Sequence, residues 1–96
     1  MFLRLTYLHF SPENTEKAKD VYMTEVALII GNQKGNKEVL FLESAENNGE
    51  FISYSLWENE SDLKEFEASS DYVKAINRVR EFVSKAPVQK YYKVNR

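Results

Sequence analysis

Ninety-six residues with a net charge of −2, no cysteine and a single histidine make one small domain, 1–96. That balance argues against a chain that grips nucleic acid or anionic membrane through clustered Lys and Arg, and it excludes a disulfide framework or a thiolate metal site. Six Tyr, six Phe and one Trp are many for this length and suit a core, a subunit interface or a pocket for a flat ligand. A chain this short buries roughly 60–65% of its unfolded surface, so a partner subunit is the common remaining source of stability. No apolar run approaches the ~20 residues of a membrane span. The start, MFLRLTYLHF, is broken by polar residues and has no small-residue cleavage site, so a cytoplasmic protein is expected.

Phe2 to Phe10 reads as the first strand. Ser11-Pro12-Glu13 then supplies an N-cap, a first-turn proline and an acid for the positive helix end. The helix is predicted from about Pro12 to about Ile30, with Ala18, Val21, Tyr22, Val26, Ile29 and Ile30 near helical spacing. Gly31-Asn32 and Gly35-Asn36 stop it. Val39–Leu42 is a short apolar strand, Asn47-Asn48-Gly49 a hairpin turn, and Phe51–Trp57 the partner strand. Asn59 or Ser61 caps a short helix with Leu63 and Phe66 inward, and Ser69 or Ser70 caps a last one. There Tyr72, Ile76, Val79 and Val83 form a stripe expected to be buried, and Pro87 ends the helix. Val88 to Val94 closes the chain as a strand.

The order β-α-β-β-α-α-β predicts an α+β, ferredoxin-like plan with a four-stranded antiparallel sheet and a second helix broken in two. Helices cover one sheet face. The large residues of the other would be exposed in a monomer, so two sheets are expected to pair as a homodimeric α+β barrel.

Along Phe51–Trp57, parity sets Ile52, Tyr54 and Leu56 on one face and Phe51, Ser53, Ser55 and Trp57 on the other. Two small hydroxyl residues between large aromatics leave room for a planar ligand, with Phe66 and Tyr72 nearby. The same small residues also admit closely packed helices, in which case Trp57 is simply core. His9 is the only side chain with an ordinary pKa suited to a general base at neutrality, although parity groups it with Leu3, Leu5 and Tyr7. Arg4, unusual inside a strand, either meets an anionic group or lies at the barrel edge. Arg78 and Arg80 read as solvated. No metal-ligand spacing and no Gly-rich phosphate loop is found.

Trp57-Glu58 followed by N-E-S-D-L-x-x-F-x-x-S-x-x-Y resembles the antibiotic biosynthesis monooxygenase family, and by element order the resemblance covers almost the whole chain. It implies a dimeric ferredoxin-like domain that uses no metal or flavin. The implied substrate is an activatable phenol or hydroquinone that loses a proton and gives an electron to oxygen. In the quinone-forming members an Asn lies four residues before the Trp; here it is Ser53. The haem-degrading branch needs a Trp, a His and an Asn where this chain has Phe66, Ile76 and Thr6, so haem degradation is not expected. The resemblance implies a slot shaped by Trp57, Phe51 and Phe66, hydrogen bonds from Ser53 and Tyr72, and His9 as base. The rival readings are a small-molecule binding module without turnover and a purely structural dimer.

Overall fold

The computed structural model describes residues 1–96. Strands β1 (Phe2–His9), β2 (Asn36–Glu43), β3 (Glu50–Trp57) and β4 (Val88–Lys93) form one antiparallel sheet in the order β2-β3-β1-β4. Helices α1 (Thr15–Val21), α2 (Ala27–Gly31), α3 (Glu60–Glu67) and α4 (Ser70–Val79) complete the ferredoxin-like α+β fold. The period-2 alternation of the strands sorts their residues as expected. Arg4, Thr6 and Leu8 stand beside Ser55, Ser53 and Phe51 in register and are buried with them.

The long first helix departs from the sequence expectation. Pro12–Asn14 forms a separate 3-10 turn, and Ser11 makes no side-chain cap; its hydroxyl instead accepts from Asn14 Nδ2 at 3.1 Å. Between α1 and α2 the residues Tyr22–Val26 form a π-helical turn. The reason lies in the spacing of the buried residues, Ala18, Tyr22, Val26 and Ile30. Strict four-residue steps drift by about 40° each around an α-helix of 3.6 residues per turn. One wider turn absorbs that drift and keeps all four side chains on the sheet.

The later caps resolve cleanly. Asn59 Oδ1 accepts from Asp62 N at 3.0 Å and Ser69 Oγ from Tyr72 N at 3.3 Å. Gly35, at φ 82°, turns the chain into β2, and a Cβ there would lie 2.1 Å from Asp62 Oδ2. Helix α4 stops at Val79, and a 3-10 turn, Arg80–Phe82, follows. Val83 is extended and bridges Phe10 rather than continuing a helix to Pro87.

The interior holds two apolar groups. One joins Tyr22, Val26, Ile30, Trp57, Leu63, Phe66 and Ala75; the other joins Leu8, Phe10, Ala18, Phe51 and Phe82. Phe41 touches both and stacks on Tyr22 at 3.9 Å between ring centres. The opposite sheet face has no helix over it, and there Tyr7, Leu40, Leu42, Val88 and Tyr92 are exposed in the single chain. No helix is long and apolar enough to cross a membrane.

Candidate functional site

A cavity of about 310 Å³ opens between the sheet and the helices. The π turn and α2 give it Tyr22, Val26 and Ile30. Helix α4 and the segment after it give Tyr72, Ala75, Ile76, Val79, Arg80 and Val83. The stripe Tyr72, Ile76, Val79, Val83 is therefore half-buried, not buried: it walls a void. The floor is β1, with Arg4, Thr6 and Leu8, flanked by Ser53 of β3 and Gln89 of β4.

The floor is polar and tightly organised. Arg4 is 6% exposed and its Nε lies 3.0 Å from Glu67 Oε2, off the N–H axis, so the contact is an ion pair rather than a hydrogen bond. Its Nη2 donates to the Tyr72 hydroxyl at 2.7 Å, and Gln89 Nε2 donates to the same oxygen at 3.1 Å. Tyr91 donates to Glu67 Oε2 at 2.6 Å, completing the anchor of the guanidinium. Burial and the nearby Glu67 push the Tyr91 phenol above its ordinary pKa. Thr6 is 8% exposed and its Oγ1 has no hydrogen-bond partner. An unpartnered hydroxyl inside a protein is uncommon.

Tyr22 and Ser53 share a hydrogen bond at the side of this floor. Burial pushes the Tyr22 phenol up; the Ser53 bond and the Arg4 charge oppose that rise only in part. Tyr22 therefore stays neutral and contributes a dipole, not an anion.

Three of the six expected pocket residues, Ser53, Phe66 and Tyr72, line this cavity, and three do not. Trp57 is 0% exposed, packs with Leu63 and Phe66, and donates Nε1–H to Ser55 Oγ at 2.9 Å. The Ser55 hydroxyl is thus spent on the indole, and no slot remains between them. Phe51 belongs to the apolar group around Phe10. His9 lies outside the cavity as well. It borders a separate hollow on the open-face side with Tyr7, Leu42, Glu50 and Ile52. Its Nδ1 meets Ser84 Oγ, and Ser84 Oγ donates to the His9 carbonyl at 3.1 Å. The arrangement fits an imidazole that donates through Nδ1 and pins the segment before β4, so His9 supplies no proton acceptor to the cavity.

Arg4 finds its anionic group in Glu67, which resolves its placement in the strand. Arg78 is an exposed partner of Glu25, at 2.7 Å, whereas Arg80 stands at the cavity and enters none of the ion pairs. Thr6, Gln89 and Arg80 were not marked as site residues by sequence reasoning. For Thr6 a signal exists: a Thr two residues from an inward Arg on the same strand face makes that face polar where core is expected. No group of three or more His, Asp or Glu side chains converges as a metal-ligand set.

An antiparallel four-stranded sheet, helices on one face and a cavity between the layers define a ferredoxin-like α+β domain. The model of the family called antibiotic biosynthesis monooxygenase matches residues 1–78, and the chain belongs to that family. Among solved structures it is similar to a protein from Deinococcus radiodurans assigned to the same family. That pair shares 18% identity and a TM-score of 0.87, covering 100% of this chain and 94% of the other. A similarly assigned protein from Nitrosomonas europaea shares 17% identity at a TM-score of 0.85, covering 98% of each chain. SnoaB from Streptomyces nogalater, described as a cofactor-independent oxygenase, shares 9% identity at a TM-score of 0.79, covering 99% of this chain and 93% of that one. Likeness at such identities establishes the shared fold. No curated protein gives a significant match.

Proposed function

We propose that this chain is a cofactor-independent monooxygenase-like protein acting on a small planar aromatic of the phenol or hydroquinone type, held in the cavity between sheet and helices. The observation that carries the reading is the cavity itself, with apolar walls over a floor where the Thr6 hydroxyl lacks a partner. Val26, Ile30, Phe66, Ile76 and Val79 would hold a flat ring and exclude water. Arg4 and Tyr72 would stabilise negative charge on the ring oxygen once its proton is lost. The substrate anion then passes an electron to O2, the two radicals join as a hydroperoxide, and loss of water leaves a carbonyl. A phenol and one O2 become a quinone and one water, so the substrate is its own reductant. SnoaB, on the same fold, is described as working without a cofactor.

A binding module without turnover is the second reading. It is favoured by one specific point: His9 is elsewhere and burial keeps Tyr22 protonated, so neither supplies a base at the cavity. For either reading we propose a homodimer joined through the open sheet face, supported by its exposed Tyr7, Leu40, Leu42, Val88 and Tyr92.

Trp57 stacks on Phe66 at 5.5 Å, and Phe66 lines the cavity, so the only tryptophan reports occupancy indirectly. The test is fluorescence titration with planar phenols and hydroquinones, alongside oxygen uptake. Saturation with oxygen-dependent product is the expected result. Saturation without product would leave the binding module, and no saturable response from any compound would remove the cavity from both readings.

A further inference from the structure

We propose that His9 is a positioning residue for the cavity entrance: it pins a strap, Ser84–Pro87, whose swing about Ser84 admits and releases the ligand. The proposal rests on the cavity as the ligand site, the reading given above, but not on turnover there.

Exposure locates the mouth. Most of the cavity lining is buried or half-buried, and the exposed lining residues are Arg80, Pro87 and Gln89. All of them fall within 80–89, before, at the end of and just after the strap. Val83 and Pro87 wall the cavity, whereas Lys85 and Ala86, between them, wall the separate hollow that His9 borders. One thin segment therefore parts two open volumes, of about 310 and 470 Å³. A segment with space on both sides forfeits little packing when it moves, which is the character of a locally opening element.

Its fastenings are uneven. Val83 is bridged to Phe10, and the Ser84 N–H donates to the His9 carbonyl at 2.8 Å. Ser84 Oγ donates to the same carbonyl at 3.1 Å, which leaves its lone pairs for the N–H at His9 Nδ1. The far end is fixed at Val88, which pairs with Tyr7 in the sheet. Between these points Lys85, Ala86 and Pro87 make no backbone hydrogen bond. Pro87 has no N–H to satisfy and holds itself and the residue before it to extended backbone. The strap is thus stiff at its far end, with its freedom at Ser84 and Lys85.

The imidazole is seated for this task. Its Nε2 edge rests on Gly49 of the β2–β3 turn, where φ is 83° and an added Cβ would stand 3.4 Å from Nε2. The ring is held between that turn and Ser84, and it faces the hollow rather than the cavity. It acts on the ligand only through the strap. The pin is made whether the cavity is empty or filled. Its loss therefore cancels in the affinity and remains in the barrier to opening.

Stopped-flow quenching of Trp57 by 1,4-naphthoquinone tests this on the intact chain. The probe is flat and already oxidised, and the chain has no cysteine to trap it. In His9→Ala the association and dissociation rates should both rise about fivefold, the worth of one hydrogen bond, with Kd kept within about twofold. Ser84→Ala should match it, and the double variant should add little more. His9→Asn, whose amide N–H replaces the one on Nδ1, should restore the slow rates. In His9→Ala the Ser84 amide should exchange its hydrogen about fivefold faster while the β3 amides keep their protection. A merely structural loss would weaken Kd and would not be rescued by Asn. The proposal is overturned if both alanine variants keep the wild-type rates, if Kd alone changes, or if Asn behaves as Ala. Failure of the quinone to bind the wild-type chain would overturn the ligand reading together with this one. Binding at wild-type rates in both variants overturns this one alone. Absence of oxygen uptake with any phenol would sink the monooxygenase reading and leave the strap standing.

Discussion

Ser53 and Ser55 sit two residues apart on one strand face, yet they serve different parts of the molecule. Ser55 accepts the indole N–H of Trp57 and closes a dry, fully packed region with Leu63 and Phe66. Ser53 pairs with Tyr22 at the edge of a cavity whose floor carries an ion pair and an orphaned hydroxyl. The packed end spends every polar atom on the fold. The cavity end keeps some in reserve, which is where ligand chemistry is to be sought.

The contrast can be broken most severely at the ion pair. Glu67→Gln leaves Arg4 buried without a counter-charge, and chemical denaturation should show a loss of about 3 kcal/mol. At the packed end, Ser55→Ala orphans the Trp57 N–H and should cost about 2 kcal/mol by the same measurement. Thr6→Val sharpens the comparison because its sign is opposite: removing an unpartnered buried hydroxyl should stabilise the fold by about 1 kcal/mol.

The smallest effect is in alkaline solution. The Tyr22 phenol is raised by burial, so the folded chain holds that proton more firmly than the unfolded one. Its contribution is intact below the unfolded value of about 10 and is lost as pH climbs through the folded value. Stability should fall above about pH 10, and Tyr22→Phe should flatten part of that slope in denaturation curves taken across the range. Tyr91, Tyr54 and Lys19 are raised too and share the remaining slope.

Strand faces and element order were legible because a two-residue period and strong turn residues report them directly. The cavity was only half legible. Parity identified the inward face of β3, but the place on that face where a void opens depends on how α4 and the π turn lie across the sheet. A local rule would have moved Trp57 to the core: a buried indole needs an acceptor, and Ser55 stands one step away on the same face. Arg4 was flagged as unusual, but its partner lies 63 residues on, at Glu67, beyond any spacing rule.

The π turn makes helix winding a variable in its own right. An unbroken α-helix of the same length would carry Val26, and then Ile30, about 40° further around the axis at each four-residue step. Tyr22, Val26 and Ile30 would no longer stand in one row over the sheet, although every strand kept its register. The wide turn, and not side-chain type alone, therefore sets which residues wall the cavity.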